Sequence, residues 1–178
     1  MAAVRCTGPE KFELLFRRRV QTCPDDLPRQ PFHAVAEEGM PKSTIERVRA
    51  AAARLAGDAV AEAIRDAGAV SAAGVAMGRT VLPTDLDRIL SSHALLHSAE
   101  GELYRDALSE AAGDAGLRVV RFLNKEVRSE AACALGWPLE RLEAWLVEAG
   151  KVAGKPWTRD EKDASAAAML ALAVTLPR

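Results

Sequence analysis

Aromatic side chains are scarce in this sequence, making up 4% of its 178 residues, whereas apolar residues make up 49%. A core with so few rings has to be filled mainly by alanine, leucine and valine. Because these side chains are small, we expect helices that approach one another closely. The length fits a single domain with an appended arm.

Cysteine is sparse too, and Cys6, Cys23 and Cys133 form no Cys-x-x-Cys pair. An odd number at wide spacing argues against a disulfide framework and predicts a reducing compartment. The sequence lacks a charged leader followed by an apolar run, and no window approaches the roughly 18 apolar residues of a membrane span. We therefore expect a cytoplasmic protein without a membrane partner. The excess of arginine over lysine is typical of GC-rich bacterial genes.

The sequence also lacks an excess of charge of either sign, because the formal net charge is −1. This balance argues against non-specific binding of nucleic acid. The sequence contains no phosphate-binding glycine loop, dinucleotide fingerprint or nucleophile elbow, so it offers no signature of those enzyme classes.

Residues 1–41 differ in character from the rest of the chain. The spacing of apolar residues in 11–20 predicts a short helix. Prolines then interrupt the chain and remove backbone donors, which predicts an irregular N-terminal arm or linker with a short extended piece at 32–36. These prolines are Pro24, Pro28, Pro31 and Pro41.

Residues 42–178 are predicted to form one helix-rich α/β domain. A helical stripe begins at Ser43 and ends at Gly68. Two strands, at 70–77 and 117–123, flank a long helix at 86–115, so that residues 70–123 read as a βαβ unit in a small, mostly parallel sheet packed by helices. Further helices follow, and Thr158 and Glu161 are expected to cap the last one. The alternative is an all-helical bundle without the strand at 70–77.

Polar side chains interrupt the apolar stripe of the predicted long helix. At about 100° per residue, this stripe contains Leu86, Ile89, Leu90, Ala107, Leu108 and Ala111. His93, His97, Glu100 and Tyr104 fall in its middle, so we expect them to face the interior. A buried polar group without a partner costs about 1–3 kcal/mol, which means that this row requires either a functional site or a satisfied network.

Histidines four residues apart project from one face of a helix and can share a metal ion. His93, His97 and Glu100 are therefore candidate ligands for a divalent metal, zinc or manganese. His97 and Glu100 are also the candidate catalytic residues, since a carboxylate beside a histidine makes it a better base. The second interpretation is that these side chains form a structural core network.

Asp163 is the fourth candidate metal ligand. The stretch 157–163 places aspartates before an alanine-rich helix and resembles the last-helix acidic motif of RuvC-like and ribonuclease H-like nucleases. That resemblance implies carboxylates from a first strand, a middle helix and the final helix, with Glu100 in the middle position. The predicted strand at 71–78 departs from it, because it carries no aspartate.

Two functional hypotheses follow. The first is a metal-assisted hydrolase, acting on a phosphodiester or another small anionic substrate, with Arg105, Trp157 and Lys162 as candidate anion contacts. The second is a non-catalytic interaction or oligomerisation module, such as a homodimer, in which the histidines and Glu100 only complete the core. The sequence does not decide whether the protein is an enzyme.

Overall fold

A computed structural model describes residues 1–8, 10–123 and 125–175. This part of the chain contains strands and helices, so the α/β prediction is confirmed and the all-helical alternative is wrong. The strands are β1 (Ala2–Gly8), β2 (Lys11–Arg17), β3 (Ala72–Met77) and β4 (Arg118–Leu123). The helices are α1 (Pro31–Ala36), α2 (Ser43–Ala67), α3 (Leu86–Leu90), α4 (His93–Asp114), α5 (Val127–Leu135), α6 (Leu139–Ala153) and α7 (Arg159–Thr175).

The strands form two separate two-stranded sheets instead of one mostly parallel sheet. β3 and β4 pair in parallel, with Ala72 opposite Arg118 and Met77 opposite Leu123, and α3 and α4 lie in the connection between them. Helix α7 packs directly on β3. Gly74 permits this close approach, since a Cβ at that position would lie 2.8 Å from the carbonyl carbon of Ala167.

The N-terminal segment forms an antiparallel hairpin, β1–β2, and the helix predicted over 11–20 is wrong. In β2 the exposed Lys11 and Glu13 alternate with the half-buried Phe12 and Leu14, which is the two-residue period of a strand. Phe12 packs edge-on against Trp137, with 5.5 Å between ring centroids. Its carbonyl also accepts a hydrogen bond from the indole of Trp145 (3.1 Å). Packing against Trp137 and α6 therefore favours the strand over the helix.

The proline-rich segment contains the short helix α1, so the extended piece expected at 32–36 is also wrong. Pro31 stands at the start of α1, where its missing amide donor costs nothing. Phe32, His33 and Ala34 are buried. The segment is therefore held against the helical part of the molecule over this turn.

In the described part of the chain, the core consists of two clusters of buried apolar residues. Cluster one joins α1, α2, α3 and α4 around Phe32, Val48 and Leu96. Cluster two joins β4, α5, α6 and α7 around Phe122, Leu142 and Met169. The β3–β4 pair lies between the two clusters because β3 contacts both α4 and α7. Across the described ranges, every helix falls short of the length or apolarity needed to cross a bilayer.

Candidate metal centre

Three histidines converge on the surface of cluster one, and they are all the histidines of the chain. The ring centroids of His33 and His97 are 4.6 Å apart, those of His93 and His97 4.6 Å, and those of His33 and His93 5.3 Å. A ring nitrogen from each lies within 4.8 Å of the others. The Nε2 atoms of His93 and His97 are separated by 3.1 Å.

The N-terminal end of α4 supplies two of these rings. His93 and His97 are one helical turn apart, so their side chains project from the same face. The long helix predicted at 86–115 is interrupted at Ser91 and Ser92, between α3 and α4. The interruption changes the phase of the stripe, which now buries Leu96 and Ala99.

The expectation that both of these histidines face the interior is consequently wrong. His93 is 68% exposed, and His97 is exposed as well. Only Glu100 of the predicted row is buried, whereas Tyr104 is half-buried.

Glu100 links the third histidine to α4. One of its carboxylate oxygens accepts hydrogen bonds from the backbone N–H groups of Phe32 (2.9 Å) and His33 (3.1 Å). The same oxygen lies 3.2 Å from Nδ1 of the His33 ring. A carboxylate in this position satisfies amide donors that a helix leaves unpaired in its first turn.

Burial raises the pKa of Glu100 above its ordinary value, and the hydrogen bonds from His33 and Phe32 oppose this effect. Its second carboxylate oxygen is buried without a partner among the described residues. Glu100 therefore occupies an environment that is unfavourable for a charge, and its contacts with α1 compensate for part of the cost.

The hydrogen bonds also determine which ring nitrogens are available. A carboxylate oxygen accepts hydrogen bonds, so we assign Nδ1 of His33 as the donor to Glu100. Its Nε2 then carries the lone pair, and this atom is buried without a hydrogen-bond partner among the described residues. Nδ1 of His93 lies 3.2 Å from Glu37 Oε1, which likewise leaves Nε2 of His93 as an acceptor, and this atom is hydrogen-bonded to Nε2 of His97 (3.1 Å). Carboxylates that accept Nδ1–H in this way orient metal-binding histidines and raise their basicity.

The geometry suits a tetrahedral metal site. Zinc–nitrogen bonds of about 2.0–2.1 Å place two ligand nitrogens about 3.4 Å apart, and the 3.1 Å between the Nε2 atoms of His93 and His97 is close to this value. Small side-chain rotations would bring in His33, whose ligand atom lies within 4.8 Å of the others. His33 closes the buried side, while the exposed rings leave the opposite side open to water.

Asp163, Arg105 and Trp157 form hydrogen bonds with groups other than the histidines. The carboxylate of Asp163 on α7 accepts from Arg128 (2.7 Å) and Arg159 (3.2 Å). Arg105 donates to Glu102 (3.0 Å). The other two candidates, Trp157 and Lys162, also belong to the α7 end of the molecule: the indole of Trp157 donates to the carbonyl of Leu146 (2.9 Å), and Lys162 is half-buried on α7. Within the described ranges, the group of converging ligands consists of histidines alone.

His33 was not a candidate from the sequence, because it stands 60 residues before His93 in a segment predicted to be irregular. Its neighbourhood carries no ligand spacing, and only tertiary packing brings it to α4. Comparisons with protein-family models, with curated proteins and with solved structures found no match to the chain.

Proposed function

We propose that the protein binds a divalent transition metal through His33, His93 and His97 and uses it for hydrolysis. The convergence of the three rings, with the buried and unpartnered Nε2 of His33 aimed away from Glu100, is the observation that supports this proposal. A buried nitrogen lone pair without a donor is costly, and a metal ion would remove that cost.

Of the two metals expected from the sequence, zinc fits this ligand set better than manganese. Imidazole nitrogens suit zinc, whereas manganese favours carboxylate and water oxygens. The converging ligands are imidazoles only, because the carboxylates of Glu100 and Glu37 are directed to Nδ1 atoms. Glu100 is therefore a positioning residue in this proposal, and Asp163 has no part in it.

Three protein ligands and an open fourth position are typical of catalytic zinc sites, where the bound water is activated for attack. His93 and His97 lie at the surface, which gives a substrate access from solvent. A phosphodiester substrate has less support, since Arg105 is engaged with Glu102 and the acidic Glu37 borders the histidines.

The alternative function, an interaction module with a structural network, is favoured by one part of the same cluster. Glu100 and His33 are buried and joined to the backbone of α1, as expected of a network that holds the fold together. His93 and His97 do not fit that interpretation because both are exposed. The two proposed functions therefore differ in the role that they assign to His93 and His97.

Calorimetric titration of the purified protein with zinc tests the metal site. We expect one equivalent to bind to the wild-type protein and affinity to fall at least about tenfold in His33→Ala and in His97→Ala. Ser98→Ala, which alters the neighbour of His97 on α4, is the matched control and should bind zinc normally. Binding below a tenth of an equivalent, or unchanged binding in both histidine variants, would refute the metal site.

Hydrolysis is measured separately with the zinc-loaded protein, using p-nitrophenyl acetate and bis-p-nitrophenyl phosphate. We expect turnover of the ester to exceed that of His97→Ala at the same zinc concentration. Stoichiometric zinc binding without hydrolysis of either compound would leave a metal-binding protein and contradict the enzymatic part of the proposal.

A further inference from the structure

A cavity of about 570 Å³ lies apart from the histidines. Its walls come from the β1–β2 hairpin, α2, β3, α4 and α7. Ligand-binding pockets in proteins have volumes of about 300–1,000 Å³ and mostly apolar walls. This cavity has the size of a small-molecule site.

The lining is apolar and incompletely covered by the protein. Large apolar side chains that face the cavity are only half-buried, although they come from several different elements. They include Leu15, Phe16, Ile64, Leu108, Leu117 and Leu172. Apolar surface of this extent is unfavourable in contact with water, and a hydrocarbon ligand would remove it from solvent.

Among the charged side chains at the cavity, Arg5 is the one suited to binding an anion. Arg105 and Asp163 are already in ion pairs. Burial lowers the pKa of the Met1 amine, and the nearby carboxylates of Glu161 and Asp160 oppose this effect, so Asp160 lies beside a cation. Arg5 is exposed and stands opposite Glu13 in the hairpin, yet its guanidinium extends to the carbonyl of Ala67 (3.4 Å) and forms no ion pair with a described carboxylate.

We propose that this cavity binds a linear monocarboxylic acid, with the alkyl chain among the half-buried side chains and the carboxylate at Arg5. The walls account for the hydrocarbon part, and the guanidinium at the rim accounts for the charged end. This site is independent of the histidines, so its occupancy does not require a metal.

Calorimetric titrations with decanoate, 1-decanol and decylammonium test the proposal on the intact protein. We expect decanoate to bind with 1:1 stoichiometry and decylammonium to bind at least about tenfold more weakly. In Arg5→Gln the affinity for decanoate should fall about fivefold while that for decanol stays the same. Arg47→Gln, which removes an exposed arginine from α2 outside the cavity, is the control.

Variants that fill the cavity provide a second test of the site. The double variant Ala63→Phe, Ala168→Phe places two rings at lining positions and should reduce decanoate binding at least about tenfold. Ala51→Phe, at a half-buried position of α2 outside the cavity, should bind normally. Thermal melts check that each variant is folded, and if the double variant is unfolded, Ala63→Phe alone is used.

No binding of decanoate, or binding that the filled variant retains, would overturn the site. Equal affinity for decanoate and decylammonium, or an unchanged affinity in Arg5→Gln, would overturn the assignment of the carboxylate to Arg5.

Discussion

Glu100 connects the two segments that supply the histidines. Its carboxylate accepts from the start of α1 and from the His33 ring, while its backbone belongs to α4 one turn after His97. The same contacts fix the tautomer of His33 and the distance between the segments. A change at Glu100 should therefore alter the metal site without removing any ligand.

Glu100→Gln should weaken zinc binding about 10- to 100-fold, the effect usual for loss of a carboxylate that orients a ligand. The amide oxygen of glutamine still accepts from the backbone of Phe32, so α1 stays in place. Calorimetric titration with zinc measures the change, and Glu110→Gln, at an exposed position of the same helix, is the control. Equal affinities in the two variants would show that the carboxylate does not orient His33.

Glu161 should make stability depend on acid pH. Hydrogen bonds from the hydroxyl and backbone N–H of Thr158 lower the pKa of Glu161 from 4.5 to about 2. Because the folded-state pKa lies below the unfolded one, this contribution is present above pH 4.5 and is lost as the pH falls toward 2. Urea unfolding between pH 7 and pH 3 should show a smaller loss of stability in Glu161→Gln than in the wild-type protein. Parallel curves would contradict the assignment.

At the scale of elements, the contact between β3 and α7 depends on Gly74. The Cβ of an alanine there would clash with the backbone of Ala167, which cannot move without shifting α7. Gly74→Ala should lower the free energy of unfolding by about 1–3 kcal/mol. Gly57→Ala, inside α2 with open space around it, should instead raise stability by up to about 1 kcal/mol. Denaturant unfolding of both variants distinguishes steric crowding from a general effect of glycine replacement.

The elements that the sequence predicted well are those whose signals are local. The Thr158 and Glu161 cap forms as expected. Both strands of the parallel pair lie within the predicted ranges, ending at the predicted residues and starting slightly later. The predicted buried face of α3 and α4 was wrong because Ser91 and Ser92 interrupt the helix. Residue spacing counted across this break no longer identifies the buried face. The prediction of a helix at the position of β2 was wrong because the contacts that favour the strand, with β1 and Trp145, are tertiary contacts.

The candidate site was predicted in part for the same reason. The spacing of His93, His97 and Glu100 on one helix is visible in the sequence. His93 and His97 do converge, whereas the carboxylate of Glu100 contacts Phe32 and His33. His33 depends on α1 reaching α4 through the carboxylate of Glu100, which no local pattern encodes. Asp163 was a candidate ligand from its sequence position, yet its carboxylate forms ion pairs with Arg128 of α5 and Arg159 of α7.

At the scale of the whole molecule, the described residues form two core clusters, and the β3–β4 pair connects them through its contacts with α4 and α7. Val75 of β3 and Phe122 of β4 are buried between the helices. This arrangement predicts that residues 42–178 unfold as one domain, because neither cluster keeps its apolar faces covered when the other is lost.

Leu96→Ala tests this cooperativity. Leu96 is 2% exposed in cluster one, so its truncation should cost about 2–5 kcal/mol. All three tryptophans, Trp137, Trp145 and Trp157, lie on the side of cluster two and report on that half. If the clusters unfold together, the urea midpoint measured by tryptophan fluorescence falls by the same amount as the midpoint measured by far-ultraviolet circular dichroism. A fluorescence midpoint that stays at the wild-type value, while circular dichroism shows an earlier transition, would mean that the clusters are separate folding units.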